Sequence, residues 1–284
     1  YRGLPSDSLQ ICMPFAFCSV LNRSGGIVLL LTTRKGFYVC SLFGAVSWST
    51  IRNCGYMGET AQNKPVEIAV FDFDGTSISG NSPVILVRYL RREGLLKKRV
   101  FTRIIFWALR YKLRLPQNES WVRGAVFSAF EGKKQEEVDR FLETFYDEHL
   151  EKIFRAKADE AINYHRSCGR EVWVVSATFE PLIRQAMKTH RFTREFSTRM
   201  TVDESGCYTC RVEGLPVEGE EKLNRITAYA NKTYGEGNWV ISHAYGDHHS
   251  DRAMLKASLN PRAVTPDRPL RRTAKEYGWT ILSW

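Results

Sequence analysis

The chain has 284 residues, 43% hydrophobic and 25% charged, and 41 Lys+Arg against 31 Asp+Glu give a formal net charge of +10. This composition excludes a disordered or collagen-like chain and leaves room for one large core or two domains. The basic balance favours anionic partners (phosphorylated metabolites, nucleic acid or an anionic membrane) without choosing among them.

Residues 1–64 carry two apolar runs, 11–21 and 27–32, and Arg34 and Lys35 interrupt the second. Both are too short for a membrane-spanning helix. No fold is assigned to this stretch; Met57, shortly before the first strong strand, is a candidate start, in which case the upstream part is not native structure.

Residues 66–71 are apolar and partly β-branched, and they stop at Asp72 and Asp74. That pattern predicts a buried strand of a parallel sheet ending where the chain leaves the core. If the extended conformation persists, Asp72 and Asp74 point to the same side. Gly75 then allows a sharp turn. Ligands of open α/β sheets bind outside the carboxyl ends of the strands. Paired carboxylates repel unless a cation sits between them, which suggests Mg2+. The alternative is an acidic turn after an edge strand.

Up to about Gly169 no strong strand signal follows. Amphipathic helices are expected at 83–92, with Val84, Leu86, Val87 and Leu90 on one stripe, and at 99–115, 119–130 and 135–154. Such a block reads as a helical cap inserted over the strand ends, able to exclude water. Residues 88–114 hold ten Lys and Arg against one acid, Glu93, interleaved with aromatics such as Phe106 and Trp107. Two readings stay open, a helix lying on an anionic membrane or, preferred, an apolar face packed in the cap beneath solvated charges.

Beyond a helix at 156–167, residues 171–175 form the next expected strand, ending at Ser176-Ala177-Thr178. A hydroxyl there suits either phosphate binding beside the helix starting near Glu180-Pro181 or an N-cap. Residues 198–202 and 207–212 predict a β-hairpin around Gly206. Of the seven cysteines, Cys207 and Cys210 form a lone C-x-x-C that reads as two side chains on this ribbon. A helix is expected over 219–230, with Lys222 in its first turn, where a cation is unfavourable unless an anion joins it. The strand 239–245 ends in Gly246-Asp247-His248-His249-Ser250-Asp251, so two more acids sit at a strand end. The adjacent His248 and His249 point apart and lack a third nitrogen or sulphur ligand, so they read as rim residues rather than zinc ligands. A short strand at 262–264, a helix at 268–277 and a strand at 279–282 complete the chain.

D-F-D-G-T at 72–76, Ser176, G-E-E-K at 219–222 and G-D-x-x-x-D at 246–251, in that order, resemble the haloacid dehalogenase-like phosphohydrolases. The resemblance spans about residues 65–284, and the long helical insertion is similar to the branch that includes phosphoserine phosphatases and some lipid-phosphate hydrolases. It implies an α/β fold, a three-layer Rossmann-like parallel sheet core (65–80 and 170–284) with an inserted helical cap (81–169). It implies that Asp72 is the nucleophile, Asp74 the acid-base, and Ser176 and Lys222 the phosphate grip. Mg2+ would be held by Asp72, Asp74 through its backbone carbonyl, and Asp247, with Asp251 completing the site. Phosphoserine phosphatases place a glutamate nine residues after the nucleophile; here that position is Asn81, which argues against phosphoserine. The expected substrate is a small phosphorylated metabolite or a lipid phosphate such as phosphatidylglycerophosphate, and the expected location cytoplasmic, with peripheral contact to an anionic membrane kept open. No nucleic-acid partner is expected. The alternative of another class is an inactive phosphate-binding or regulatory module, against which the intact acids and lysine argue.

Overall fold

Alternation along β4 (Val66–Phe71) decides what each face of the sheet meets. Ala69 and Phe71 enter one apolar cluster, Ile68 and Val70 another, and all four are fully buried. A strand covered on both faces is the mark of a parallel α/β sheet. The computed structural model describes residues 64–96 and 126–284, helix at Thr102 and Phe106, and the backbone of three upstream strands.

Six strands, all paired in parallel, form the sheet in the order β11-β10-β9-β4-β5-β6. They are β5 (Glu171–Phe179), β6 (Arg194–Thr198), β9 (Trp239–Gly246), β10 (Asn260–Val264) and β11 (Thr280–Leu282) beside β4. The chain steps outward from β4 through β5 to β6, then crosses back to β9 on the other side of β4. The order therefore reverses between β4 and β9, and a crevice opens at their carboxyl ends.

Helices cover both faces. On one lie α3 (Ala156–Ser167) and α4 (Glu180–Thr189), which contribute Ile162, Leu182, Ile183 and Ala186 to the cluster of Phe71. On the other lie α5 (Glu220–Tyr234), α6 (Arg252–Lys256) and α7 (Arg268–Glu276), which contribute Ile226, Met254, Leu255 and Leu270 to the cluster of Val70. This is the expected three-layer Rossmann-like core.

Between β4 and β5 the chain makes a helical excursion. It includes α1 (Ser82–Arg92) and α2 (Gln135–Phe145), the latter running on through a π-type turn, Tyr146–Leu150, and a 3-10 turn, Glu151–Ile153. Leu86, Val87 and Leu90 of α1 and Val138, Leu142 and Phe145 of α2 join the cluster on the Phe71 face. Val84, expected on the buried stripe, is 44% exposed; Ile85 and Tyr89 flank Leu86, Val87 and Leu90 on the packed face instead. Apart from Thr102 and Phe106, which are helical, the helix expected at 99–115 lies outside the described residues, as do most of the one at 119–130 and the basic triplet 97–99.

The excursion leaves and returns side by side. Ser79 N donates to Ile153 O at 2.9 Å, Arg155 N to Ser77 O at 2.8 Å, and Ile78 and Phe154 form an antiparallel bridge. A hairpin of β7 (Met200–Val202) and β8 (Tyr208–Val212) grips it elsewhere. Gly132 N donates to Tyr208 O at 2.8 Å, Tyr208 N to Lys133 O at 2.9 Å, and Tyr208 Oη to Asp139 at 2.6 Å.

Thr198, expected in that hairpin, belongs to β6 instead, a strand that sequence reading missed. Arg-Glu-Phe-Ser-Thr is polar enough for an edge and lacks the apolar run that betrays a central strand. Residues 1–64 form a separate unit with an antiparallel sheet of β1 (Phe17–Leu21), β2 (Ile27–Thr33) and β3 (Gly36–Leu42), where no fold was assigned from sequence. Among the described residues no helix is long and apolar enough to cross a membrane.

Candidate active site

Strand β4 carries Asp72 to the sheet's end, where Asp72 N donates to Tyr245 O of β9 at 2.9 Å. Extended backbone ends there. Residues Phe73–Ser77 curl into a tight turn, with Gly75 at φ 75°. Asp72 and Asp74 bond to different partners, although Lys222, which bonds Asp72, also acts electrostatically on Asp74. Asp72 faces a floor of charged groups, whereas Asp74 reaches the start of α1 and the end of β5.

Lys222 anchors the floor. It enters from the first turn of α5, is 4% exposed, and its Nζ lies 2.5 Å from Asp72 Oδ1 and 2.7 Å from Asp251 Oδ1. The cation that looked misplaced at a helix start thus has two carboxylates as its counter-ions. Burial alone would lower the Lys222 pKa, but Asp251 and Asp72 hold it above its usual value. Burial raises the Asp72 carboxyl well above the ordinary range against the pull of Lys222, and Asp251 and Asp247 add to the rise.

Asp247, from the end of β9, completes the group. Oxygens of Asp72, Asp247 and Asp251 lie within 4.8 Å of one another. Burial, then Asp251, raises Asp247 to about 6. Thr76 Oγ1 donates to Asp247 Oδ1 at 3.2 Å. Three converging carboxylates with one lysine leave an excess of negative charge in a buried pocket. All the donors are hard oxygens, so the set fits a small divalent cation of the Mg2+ type.

Two glycines let these acids approach. A Cβ at Gly75 would lie 2.1 Å from Asp247 Oδ2, and one at Gly246 would lie 2.7 Å from Asp251 Cβ. Asp251 is held by His248 N, which donates to its Oδ2 at 3.2 Å. His248 in turn caps the 3-10 turn His249–Asp251 and lies 3.5 Å from Asp267. His248 and His249 are therefore loop residues that shape the Asp251 turn, in keeping with the rim expected of them.

The second carboxylate of the D-F-D-G-T motif has a different environment. Asp74 Oδ1 accepts from Ser82 N at 2.5 Å, and its Oδ2 accepts from Ser82 Oγ at 3.1 Å and from Thr178 Oγ1. Burial raises its pKa, and the Thr178 and Ser82 bonds oppose the rise. Ser176 is 1% exposed near the end of β5, and its Oγ accepts from Thr178 N at 3.1 Å. Ser82 and Thr178 were not singled out as site residues from sequence; the hydroxyl two residues beyond Ser176 was the available signal for the latter.

Comparison with known proteins bears on this arrangement. The family model for haloacid dehalogenase-like hydrolases matches residues 69–256. A probable phosphatase of Mycobacterium tuberculosis is 31% identical over 221 residues, covering 76% of this chain and 75% of its own. A histidinol-phosphatase of Neisseria meningitidis is 25% identical, covering 76% of this chain and 98% of its own. Among solved structures, a Bordetella pertussis protein of unknown function aligns with a TM-score of 0.69 at 22% identity, covering 77% of this chain and 99% of its own. That last likeness concerns the fold alone.

Proposed function

Since the chain belongs to the haloacid dehalogenase-like hydrolases, we propose that it is a phosphatase cleaving phosphomonoesters through attack by Asp72. The observation that carries this reading is the buried Lys222, bonded at once to Asp72 and Asp251 beside Asp247 at the sheet's switch point. The relatives named as a probable phosphatase and a histidinol-phosphatase support the same reaction class.

An Asp72 carboxylate oxygen forms a bond to phosphorus while the ester P–O bond breaks, giving an aspartyl-phosphate. The departing oxygen takes a proton from Asp74, and Asp74 later removes one from the water that attacks the phospho-enzyme. Inorganic phosphate then leaves and Asp72 is restored. Lys222 and the Ser176 hydroxyl supply positive charge and a donor to the phosphoryl oxygens during the in-line transfer. Mg2+ would be held by Asp72, the backbone carbonyl of Asp74 and Asp247, with Asp251 behind them. Its chemistry there would be neutralisation of phosphoryl negative charge.

The excursion, expected to reach 169 but returning to the core at 153–155 ahead of α3, serves as the cap that selects the substrate, a small phosphorylated metabolite. Asn81 stands where an amine-binding glutamate would be needed for phosphoserine, and its Oδ1 is occupied by Val84 N at 3.1 Å as the cap of α1. A substrate other than phosphoserine follows. The test is a panel of phosphomonoesters, lipid phosphates included, assayed with and without Mg2+ alongside Asp72→Asn. Magnesium-dependent release of phosphate that vanishes in the folded variant is expected. Undiminished turnover by Asp72→Asn would sink the mechanism.

A further inference from the structure

Asp74 must offer its proton in one direction, yet a carboxyl group turns easily about its last torsion. The structure shows what stops it. Three donors converge on Asp74, from Ser82 N, Ser82 Oγ and Thr178 Oγ1, and the two hydroxyl oxygens lie 2.9 Å apart. Ser82 is fully buried and Thr178 is 2% exposed.

Each comes from an element that holds it still. Thr178 lies within the register shift between Val175 and Phe179 in the pairing of β5 with β6, and its N–H is tied to Ser176 Oγ. Ser82 is the first residue of α1, with Asn81 as its cap. The N–H groups of a helix's first turn have no partner within the helix, and here one of them is spent on Asp74.

We propose that Ser82 and Thr178 are positioning residues: they fix the Asp74 carboxyl so that its proton meets the leaving oxygen. The inference rests on the phosphatase reading. It adds that the first helix of the excursion and the end of β5 jointly aim the acid, so α1 contributes to the chemical step.

A misaimed acid hurts most where the leaving oxygen needs a proton. The first step breaks the P–O bond with its electron pair going to that oxygen. An alkoxide requires protonation, whereas p-nitrophenolate departs without it. The experiment therefore measures kcat/KM for alkyl phosphates and for p-nitrophenyl phosphate with wild type, Thr178→Val and Thr178→Ser. Thr178→Val keeps the side chain's shape and removes the hydroxyl. It should lose about a hundredfold on alkyl phosphates and only a few-fold on p-nitrophenyl phosphate, while Thr178→Ser stays near wild type on both. Equal loss on both substrate types, or a loss that serine does not restore, would overturn the proposal. Should Thr178→Val fail to fold, Ser82→Ala, which keeps the backbone donor, must show the same leaving-group bias in weaker form, and its absence overturns the proposal equally. A wild-type protein inactive on every ester would instead remove the phosphatase reading and this inference with it. An active wild type with flat variant profiles would remove this inference alone.

Discussion

At the scale of single residues, the site depends on atoms that are missing as much as on those present. A methyl at Gly75 would meet Asp247 Oδ2 at 2.1 Å, and the φ of 75° is one that side chains rarely adopt. Gly75→Ala should therefore cost about 1–3 kcal/mol of stability, read from urea denaturation, and should also displace Asp247. A second prediction concerns Asp72 itself. Asp72→Asn should keep the fold, since asparagine can still accept from Lys222, while kcat falls by at least about a thousandfold, measured by steady-state phosphate release. The residues meeting here were legible in sequence because each lies at the end of a strand or the start of a helix. Asp74 was half legible. Its identity could be read, but its partners Ser82 and Thr178 could not, because they come from a helix start and a strand end that only the fold brings together.

At the scale of elements, α5 has a paired cation buried in its first turn. Lys222→Ala leaves Asp72 and Asp251 buried together without their counter-ion. Removing one partner of such a group costs about 3–5 kcal/mol, so the variant should melt well below wild type, and Mg2+ should recover part of the difference in a thermal melt. An unchanged melting temperature would contradict the buried pairing. The helices α1, α3 and α5 were legible from their apolar spacing and flanking signals. β6 was not, since an edge strand needs no continuous apolar run. Nor was its claim on Thr198, because a hairpin and a sheet edge present the same alternation in five residues.

At the scale of the whole molecule, His165 and its basic neighbours His243, Arg170 and Arg262 reach the carboxylate floor through Tyr245, whose backbone oxygen accepts from Asp72 N. His165 is 1% exposed, with Nε2 2.9 Å from Tyr245 Oη and Nδ1 3.3 Å from an Arg170 nitrogen, and the His243 ring lies tilted against it at 4.5 Å between ring centroids. Burial, then His243, Arg170 and Arg262, lowers His165 to about 4, with Glu67 opposing. The unfolded chain takes up this proton near pH 6.5 and the folded one only near 4. Between those values the unfolded state binds more protons, so stability rises with pH and is lost as pH falls through the window. The contribution is on the order of 3 kcal/mol. Denaturation midpoints measured from pH 7 to pH 4 should drop more steeply for wild type than for His165→Gln. The six-stranded order was only partly legible: three strands and their motifs announced a doubly wound core, but neighbours in a parallel sheet are set by packing between distant segments.

One feature of the backbone reaches beyond catalysis. Residues 77–79 run outward and 153–155 run inward as a paired ribbon, so the excursion begins and ends within one ladder spacing. A segment whose two ends touch can be exchanged for another of any length without straining what lies beneath it. Evolution, or a designer, could therefore graft a new roof onto this sheet and redirect what it accepts while leaving its carboxylates and lysine undisturbed.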